Sequence, residues 1–197
     1  IYTLSLHDAL PISIYNPIET RLVGTFNVTN TESATKILHN EYTKTYFNEI
    51  EIDGVVQPSV VDTYTFSTTG VHTVKYTLID QTTIPRDCFS YCPNLINMII
   101  PKNITNILSY AFENCTGLTS IIIPDTVTEL NENGANGQFQ YCSNLTNVII
   151  SNSVTIIPNM FCYQCTKLTS PIIGNNGTTI GGSAFAYCEF TTLNIPD

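Results

Sequence analysis

The sequence predicts a mainly β protein in two parts, a small β-sandwich over residues 13–85 followed by a solenoid of about five 23-residue units over residues 86–197. Two observations predict this fold class. Residues 15–82 consist of short runs of β-branched and aromatic residues that are separated by turn signals. From residue 89 onward, cysteine, leucine and isoleucine recur at a fixed spacing, which is the signature of a stacked array.

The strands predicted in the first part are Leu22–Val28, Thr35–Leu38, Phe47–Ile52, Thr63–Ser67 and Val71–Ile79. Asp53-Gly54 is the two-residue signal of a type I′ hairpin, and Thr68-Thr69-Gly70 predicts a second, slightly longer hairpin. The last strand alternates, with His72, Val74, Tyr76 and Leu78 on one face, which suits an antiparallel sheet with one buried face. This part resembles the small immunoglobulin-like modules of bacterial surface proteins.

The second part repeats around a column of cysteines spaced 23, 27, 23 and 23 residues apart, namely Cys92, Cys115, Cys142, Cys165 and Cys188. A leucine follows three residues after each of the first four, and an apolar triplet follows that leucine. The 27-residue interval places its four extra residues in a Gly/Asn-rich segment, residues 131–138, which we expect to bulge out of the stack. A unit this short buries its apolar face only by stacking on its neighbours.

Each unit is expected to form one short strand, a turn and a compact helical or 3₁₀ segment around the sequence AFxxC. The cysteine, the leucine and the two outer residues of the triplet are expected to point inward. The segments AFENCTGLTSIIIPDTVTEL (111–130) and FQYCSNLTNVIISNSVTII (139–157) resemble BspA-type leucine-rich repeats, whose pattern is roughly AFxxCxxLxxIxIPxxVxxI. One unit departs from this pattern. It has Cys162 at the Phe position and Phe161 at the Ala position, so a shift or bulge of the chain is expected there.

The resemblance covers residues 89–197 and implies a cell-surface or secreted recognition protein, typically an adhesin of host-associated microbes. In that family the repeat array is the binding platform. The resemblance therefore predicts a non-enzymatic protein whose array binds a protein or glycan of a host. The alternative is a structural spacer or receptor-binding component of a virion or fibre. A third possibility is an exported enzyme whose catalytic domain lies in sequence that is missing here.

Charge and composition exclude several other partners. Seven basic and 16 acidic residues give a net charge of -9, so no basic surface for nucleic acid or anionic lipid is expected. Charged residues make up 12% of the chain, against the roughly 25% usual in globular domains. No apolar run approaches the roughly 18 residues that a membrane span needs.

The cysteine column admits three interpretations, which are disulfides between neighbouring units, metal ligands and core packing. Identical positions repeated in every unit favour small buried hydrophobes, so core packing is expected. Cys88 and Cys162 lie outside the column, and a bridge between them would cross three repeats. Cys162 and Cys165 form a C-x-x-C sequence, but no histidine follows His72 to complete a metal site.

Catalytic residues are sparse. His39 and His72 are the histidines of the β-sandwich, and we expect both at the surface or at a strand edge. The sequence contains neither GxSxG nor HExxH. Glu49, Glu51 and Asp53 alternate along one strand and are similar to a Ca²⁺ site, but a solvated polar face is the preferred interpretation. No cofactor or metal site is therefore predicted.

One exposed feature is predicted from strand geometry. The middle residue of each triplet points outward, because the residues on either side of it point inward. The resulting row comprises Ile99, Ile122, Ile149 and Ile172, is ended by Asn194, and is flanked by Asn97, Ser120, Asn147 and Ser170. An apolar centre with a polar rim is typical of a recognition surface. Cross-strand packing of β-branched residues would also explain the row, so both interpretations stay open.

Both ends of the sequence are expected to be artificial. Residues 1–12, IYTLSLHDALPI, match the translation of a common sequencing-library adapter codon for codon, so we expect an artefact in place of the true N-terminus. The last unit stops after Pro196 and is one residue short, so the array is expected to be truncated. The predicted localisation, extracellular or cell surface, therefore rests on the family resemblance, because a signal peptide could not be observed.

Overall fold

The structure is a computed structural model that describes residues 19–130, 137–176, 179–190 and 193. Three predictions fall outside these residues: the adapter-derived segment 1–12, most of the predicted loop 131–138, and the end of the array with Asn194. Within the described ranges the regular structure is β, apart from one 3₁₀ turn at Thr43–Tyr46. The mainly β fold class is confirmed.

The strands are β1 (Leu22–Val28), β2 (Thr35–Lys36), β3 (Phe47–Ile52), β4 (Val55–Val56), β5 (Thr63–Tyr64), β6 (Gly70–Leu78), β7 (Thr83–Ile84), β8 (Leu95–Ile99), β9 (Asn106–Ile107), β10 (Ser120–Ile123), β11 (Asn147–Ile150), β12 (Ile156–Ile157), β13 (Ser170–Ile172) and β14 (Thr179–Ile180). Eight of them form one sheet in the order β13-β11-β10-β8-β1-β6-β3-β4. The other described pairs are β2 with β5, β7 with β9, and β12 with β14.

Strands β1–β6 form the N-terminal part, which we call the cap. Strand β6 pairs antiparallel with both β1 and β3, and its residues alternate between buried and less buried positions as predicted. Strands β3 and β4 form the predicted hairpin, and both turn residues are left-handed, with φ of 48° at Asp53 and 82° at Gly54. Positive φ at both positions is the type I′ geometry, which confirms the prediction.

The second predicted hairpin is wrong. Strand β5 pairs with β2, whereas β6 lies in the large sheet, so the turn at residues 68–70 carries the chain from one layer to the other. Just before this turn, the buried ring of Phe66 packs on that of His72, with 4.4 Å between ring centroids. The cap thus has two layers, while its immunoglobulin-like character stays a prediction.

The cap and the repeated part, which we call the array, share one sheet. Strand β1 pairs antiparallel with β8, with Val23 opposite Ile99 and Thr25 opposite Asn97. Strand β7 precedes the predicted boundary at residues 85/86, yet it pairs in parallel with β9, as corresponding strands of later units do. Strand β1 therefore occupies the place of a preceding unit's strand and covers the open end of the array.

In the array each repeated unit forms one coil, and neighbouring coils pair in parallel. Strand β10 pairs with β8 and with β11, and β11 pairs with β13. The residues predicted to point inward from the strands are buried, and they are Leu95, Met98, Ile100, Leu118, Ile121, Ile123, Leu145, Val148, Ile150, Leu168 and Ile173. Pro171 is half-buried at the one remaining triplet position. The predicted solenoid of 23-residue coils is confirmed.

A column of aromatic rings runs through the core and ties the cap to the array. The rings of Phe89, Phe112 and Phe139 stack nearly parallel, with 5.3 Å between successive centroids. At the cap end, Phe89 lies 5.0 Å from the ring of Tyr76 and 6.2 Å from that of Phe47. The hydroxyl of Tyr76 donates a buried hydrogen bond of 2.9 Å to the Ile37 carbonyl.

The shift or bulge expected at residues 159–162 is absent from this described segment. The Phe139 N–H donates to the Phe161 carbonyl at 2.9 Å, and the Cys162 N–H donates to the Ala184 carbonyl at 2.7 Å. Both bonds keep the register of the preceding coils, in which Phe112 donates to Gln138. Phe161 instead enters the aromatic column from the neighbouring position and meets Phe139 edge-to-face at 79°. The departure therefore changes the orientation of one ring in the column and leaves the backbone register unchanged.

The AFxxC segments are turns and not the helical or 3₁₀ segments that the sequence predicted. Each coil places a left-handed residue five positions and one position before the column cysteine. These residues are Asp87, Tyr91, Tyr110, Asn114, Gly137, Tyr141, Met160, Gln164, Ser183 and Tyr187. Left-handed residues cannot continue a right-handed helix, so two of them within five positions force a turn.

Candidate interaction surface

The side of the large sheet that faces away from the core is continuous from cap to array, and we call it the outer face. One row of it carries small polar residues in cross-strand register: Thr73, Thr25, Asn97, Ser120, Asn147 and Ser170. The adjacent row begins with Glu51, Lys75, Val23 and Ile99 and continues along the array with Ile122, Ile149 and Ile172. The predicted site residues therefore lie on one surface that also extends across the cap.

The predicted isoleucines differ in exposure. Ile122 is 46% exposed and Ile172 is 37% exposed, while Ile99 is half-buried. Among the flanking polar residues, Ser170 is exposed and Asn97, Ser120 and Asn147 are half-buried. Asn147 has a buried side-chain oxygen that lacks a hydrogen-bond partner within the described structure.

The expectation of an exposed Ile149 is wrong. Ile149 is 5% exposed, although it does not belong to the apolar core cluster. It lies on the central strand of three, directly opposite Ile122 on one side and Ile172 on the other. Neighbouring β-branched side chains on both flanks cover it. In this part of the row, the buried Ile149 therefore lies between two exposed isoleucines, Ile122 and Ile172.

At the cap end the outer face carries charged side chains that form ion pairs with one another. Arg21 contacts Glu19 and Glu51, each at 2.9 Å, and Lys75 lies 3.3 Å from Glu51. The Arg21 hydrogen bonds hold the pKa of both carboxyl groups below their ordinary value. Sequence reasoning missed this cluster because Glu51 and Lys75 come from separate strands and meet Arg21 only through the strand pairing.

On the predicted polar face at Glu49, Glu51 and Asp53, two of the three carboxylates are held by contacts with other side chains. Glu51 is paired with cations, and Asp53 contacts His72, so neither carboxylate is left to bind Ca²⁺. Within the residues that the structure describes, no cluster of three or more His, Cys, Asp or Glu residues could hold a metal ion.

His72 is buried, so the surface prediction for it is wrong. Its Nδ1 lies 2.7 Å from Asp53 Oδ2, and its Nε2 lies 2.9 Å from the Thr68 carbonyl oxygen. Nε2 must donate to that carbonyl, so it cannot act as a base toward the Thr68 hydroxyl, which is 3.4 Å away. The signal was present in the sequence, because His72 shares the strand face of Val74. His39 is half-buried beside the Ser90 carbonyl.

The cysteines are free, and six of the seven are buried, which confirms core packing. The thiols of Cys115, Cys142 and Cys165 donate to backbone carbonyls of a neighbouring coil at 3.0–3.1 Å. Burial raises the pKa of Cys115 to about 12 and that of Cys162 well above its ordinary value. A raised pKa is the opposite of what a reactive C-x-x-C pair needs.

A second exposed feature lies on the turns. Tyr91, Tyr141 and Tyr187 each precede a column cysteine, and they are 46%, 39% and 68% exposed. Sequence reasoning missed them, although the dipeptide Tyr-Cys recurs in three of the five units.

Parallel 23-residue coils with a continuous sheet on one side define a leucine-rich-repeat solenoid. The family model for the BspA type leucine-rich repeat region matches in six copies, over residues 23–138 and 82–197. The chain therefore belongs to the BspA-type leucine-rich repeat family, as its repeat motifs indicated. The match begins within β1, so it also takes in most of the cap.

Two solved leucine-rich repeat proteins are similar to the chain. The protein from Eubacterium ventriosum ATCC 27560 is 22% identical, with a TM-score of 0.46 over 58% of this chain. The protein from Bacteroides ovatus ATCC 8483 is 23% identical, with a TM-score of 0.44 over 59% of this chain. The chain spans 38% and 35% of their respective lengths. No curated protein matches the chain.

The family is a non-enzymatic scaffold family whose repeats are consistent with protein binding and whose members are typically surface-associated. Within the described ranges, no helix combines the length and the hydrophobicity needed to cross a membrane.

Proposed function

We propose that this chain is part of a non-enzymatic, adhesin-like recognition protein, exposed at a cell surface or secreted, whose array binds a partner from a host. Of the two partner classes that the sequence suggested, protein and glycan, the outer face suits a protein. The observation that carries this proposal is the exposure of Ile122 and Ile172 on a continuous sheet face, beside a row of hydroxyl and amide side chains.

The chemistry of the outer face supports a protein partner. Interfaces between proteins combine an apolar centre, depleted of charge, with a polar rim. Ile122 and Ile172 supply the apolar centre, and Asn97, Ser120 and Ser170 supply the adjoining hydrogen-bonding groups. The strands that carry them are fixed by the parallel ladder, so little ordering would accompany binding.

Sheet stabilisation alone explains only part of this row. Cross-strand packing accounts for Ile149, which its neighbours cover almost completely. It does not account for Ile122 and Ile172, which keep 46% and 37% of their surface exposed. Threonine would also favour a strand there without exposing as much apolar surface.

The buried thiols are compatible with an oxidising location outside the cell. Six of seven cysteines are buried, and burial raises the pKa of thiols such as Cys88 and Cys92 well above the ordinary value. Thiol oxidation proceeds through an accessible thiolate, which this environment suppresses. The array can therefore keep free cysteines where disulfides would otherwise form.

The experiment is a binding measurement by surface plasmon resonance on a panel of immobilised host matrix and serum proteins. The wild-type chain is expected to bind at least one member. The double variant Ile122→Thr/Ile172→Thr is expected to bind that member at least tenfold more weakly, since it removes the exposed apolar surface and keeps the β-branched strands.

Ile156→Thr is the matched control. Ile156 is 52% exposed on β12, outside the large sheet, so the same substitution there should leave binding unchanged. Equal binding by the double variant and the wild type, with both folded, would contradict the proposal. Binding to no member of the panel would also count against it.

A further inference from the structure

The residues that immediately precede the column cysteines form a second regular surface, on the turns and not on the sheet. We call it the tyrosine column, and its members are Tyr91, Asn114, Tyr141, Gln164 and Tyr187. Backbone hydrogen bonds of 2.8–2.9 Å hold these residues in register. For example, the Tyr91 N–H donates to the Glu113 carbonyl, and the Tyr141 N–H donates to the Tyr163 carbonyl. One member belongs to each coil, and aromatic and amide side chains alternate strictly along the column.

All members share one backbone conformation. Their φ angles lie between 54° and 64°, in the left-handed region. The same conformation on successive parallel coils directs the side chains the same way, so they form a row along the solenoid. The three tyrosines are exposed, and the two amide residues between them are half-buried.

The tyrosine rings are held in place by their neighbours. The ring of Tyr163 lies 5.8 Å from that of Tyr141 and 5.4 Å from that of Tyr187, nearly perpendicular to both. At the other end, the ring of His39 lies 5.8 Å from that of Tyr91. Buttressed tyrosines present large amphipathic surfaces at a low entropic cost, as in preorganised binding sites.

The polar members are available for a ligand. The side-chain amides of Asn114 and Gln164 make no hydrogen bond to any part of the chain that the structure describes. Each amide offers two donors and an acceptor, which is the set that hydroxyl groups need. The column contains no charged side chain.

We propose that the tyrosine column binds a neutral, extended β-linked polysaccharide that lies along the solenoid axis. Parallel strands repeat at about 4.8 Å, so the tyrosines recur at about 10 Å, every second coil. In an extended β-linked glycan, alternate sugars present the same face. One sugar in two would stack its C–H face on a tyrosine ring, and the sugar between them would hydrogen-bond an amide.

Periodicity and charge both favour this ligand. A column that repeats every two coils matches a polymer with a two-residue repeat. The chain carries a net charge of -9, which disfavours acidic polysaccharides. This site is separate from the outer face and goes beyond the proposed function.

The test is affinity electrophoresis of the full chain in native gels that contain hydroxyethyl cellulose or mixed-linkage β-glucan. Wild-type protein is expected to be retarded by at least one of these neutral polymers, and not by polygalacturonate. The double variant Tyr141→Asn/Tyr187→Asn is expected to bind at least fivefold more weakly. Asparagine is chosen because Asn114 already adopts this left-handed conformation.

Two controls keep the result interpretable. Tyr42→Asn removes a tyrosine that is 73% exposed outside the column and should leave retardation unchanged. Ile122→Thr/Ile172→Thr should also leave it unchanged, so failure here is distinguishable from failure of the proposed function. If the double variant loses stability, Tyr187→Asn alone, at the most exposed position, should still weaken binding.

Three outcomes would overturn the proposal. The first is the absence of retardation by every neutral polymer. The second is equal retardation of folded wild-type protein and the folded tyrosine variants. The third is that the tyrosine variants lose binding to a protein of the panel while their binding to polysaccharide is unaffected. That result would assign the column to a protein partner.

Discussion

The cap and the array share one sheet, but the side chains on its outer face differ between the two regions. In the cap, Arg21 and Lys75 bridge Glu19 and Glu51, and all four side chains are at most 30% exposed. In the array, the described outer-face residues of β8, β10, β11 and β13 are uncharged, and Ile122 and Ile172 stay exposed. The charged groups of the cap pair with one another, whereas the array leaves apolar surface exposed to solvent.

The two regions also differ in how their contacts are built. The main core contacts of the array recur from coil to coil, as the phenylalanine rings and the cysteine thiols do. The contacts of the cap occur once. A substitution in the array should therefore have an effect that depends on how many neighbouring coils it touches, while one in the cap removes a single specific contact.

The largest effect is expected from Phe112→Ala. Phe112 is fully buried and stacked between Phe89 and Phe139, so its removal should lower the free energy of unfolding by about 3–5 kcal/mol. Phe185→Ala is the comparison, because Phe185 is only half-buried, and its loss should be clearly smaller. Urea unfolding measures both. Equal losses would show that stability does not depend on stacking between coils.

A smaller effect is expected at the junction of cap and array. A Cβ at Gly24 would lie 2.9 Å from Phe26 Cε2 and 3.3 Å from Leu95 Cδ1. Gly24→Val should therefore lower the free energy of unfolding by about 1–3 kcal/mol through overpacking between β1 and β8.

Gly54→Ala is the control within the cap. Apart from its chain neighbours, no atom of the described residues lies within 4 Å of an added Cβ there, so only the left-handed backbone opposes the change, at about 1 kcal/mol. Thermal or urea unfolding of both variants compares the sites. If Gly24→Val costs no more than Gly54→Ala, the packing of β1 against β8 leaves room for a larger side chain, which would contradict this prediction.

The smallest effect is expected from Arg21→Met. Arg21 lowers the pKa of Glu19 and Glu51 from an ordinary 4.5, so its contribution is present above about pH 4.5 and is lost as the pH falls through the lowered values. At pH 7 the variant should lose about 0.5–1 kcal/mol of stability and show a shallower decline toward acid pH.

The array variant Ile122→Thr supplies the contrast for this measurement. No titratable group changes there, so the dependence of its unfolding free energy on pH should match the wild type. Urea unfolding between pH 3 and pH 7 would check both variants. A wild-type pH dependence in Arg21→Met would mean that the ion pairs do not contribute to stability.

The sequence predicted the array better than the cap, for a physical reason. In the array the same positions recur, so burial of Cys115, Leu118 and Ile121 could be inferred from their equivalents in other coils. The order of the cap strands depends on distant pairings, such as β1 with β8, which no local pattern encodes. The false hairpin at residues 68–70 shows the same limit, since strand patterns do not reveal to which layer each strand belongs.

The candidate surface was predicted in position but not in exposure. Strand alternation placed Ile122, Ile149 and Ile172 on the outer face, and the cross-strand register agrees. Exposure depends on the neighbours of each residue as well as on its direction, which is why Ile149 is buried. The Arg21 cluster could not be found from sequence, because its partners meet only through the strand order.

The central claim is that the outer face of the array is the recognition surface. The most direct measurement is hydrogen–deuterium exchange of the chain, alone and with the panel protein that binds it best. We expect slower exchange in peptides that cover 95–99, 120–123, 147–150 and 170–172, and unchanged exchange in the turns at 139–142 and 161–165. Protection confined to those turns, or no protection anywhere on the sheet, would contradict the account.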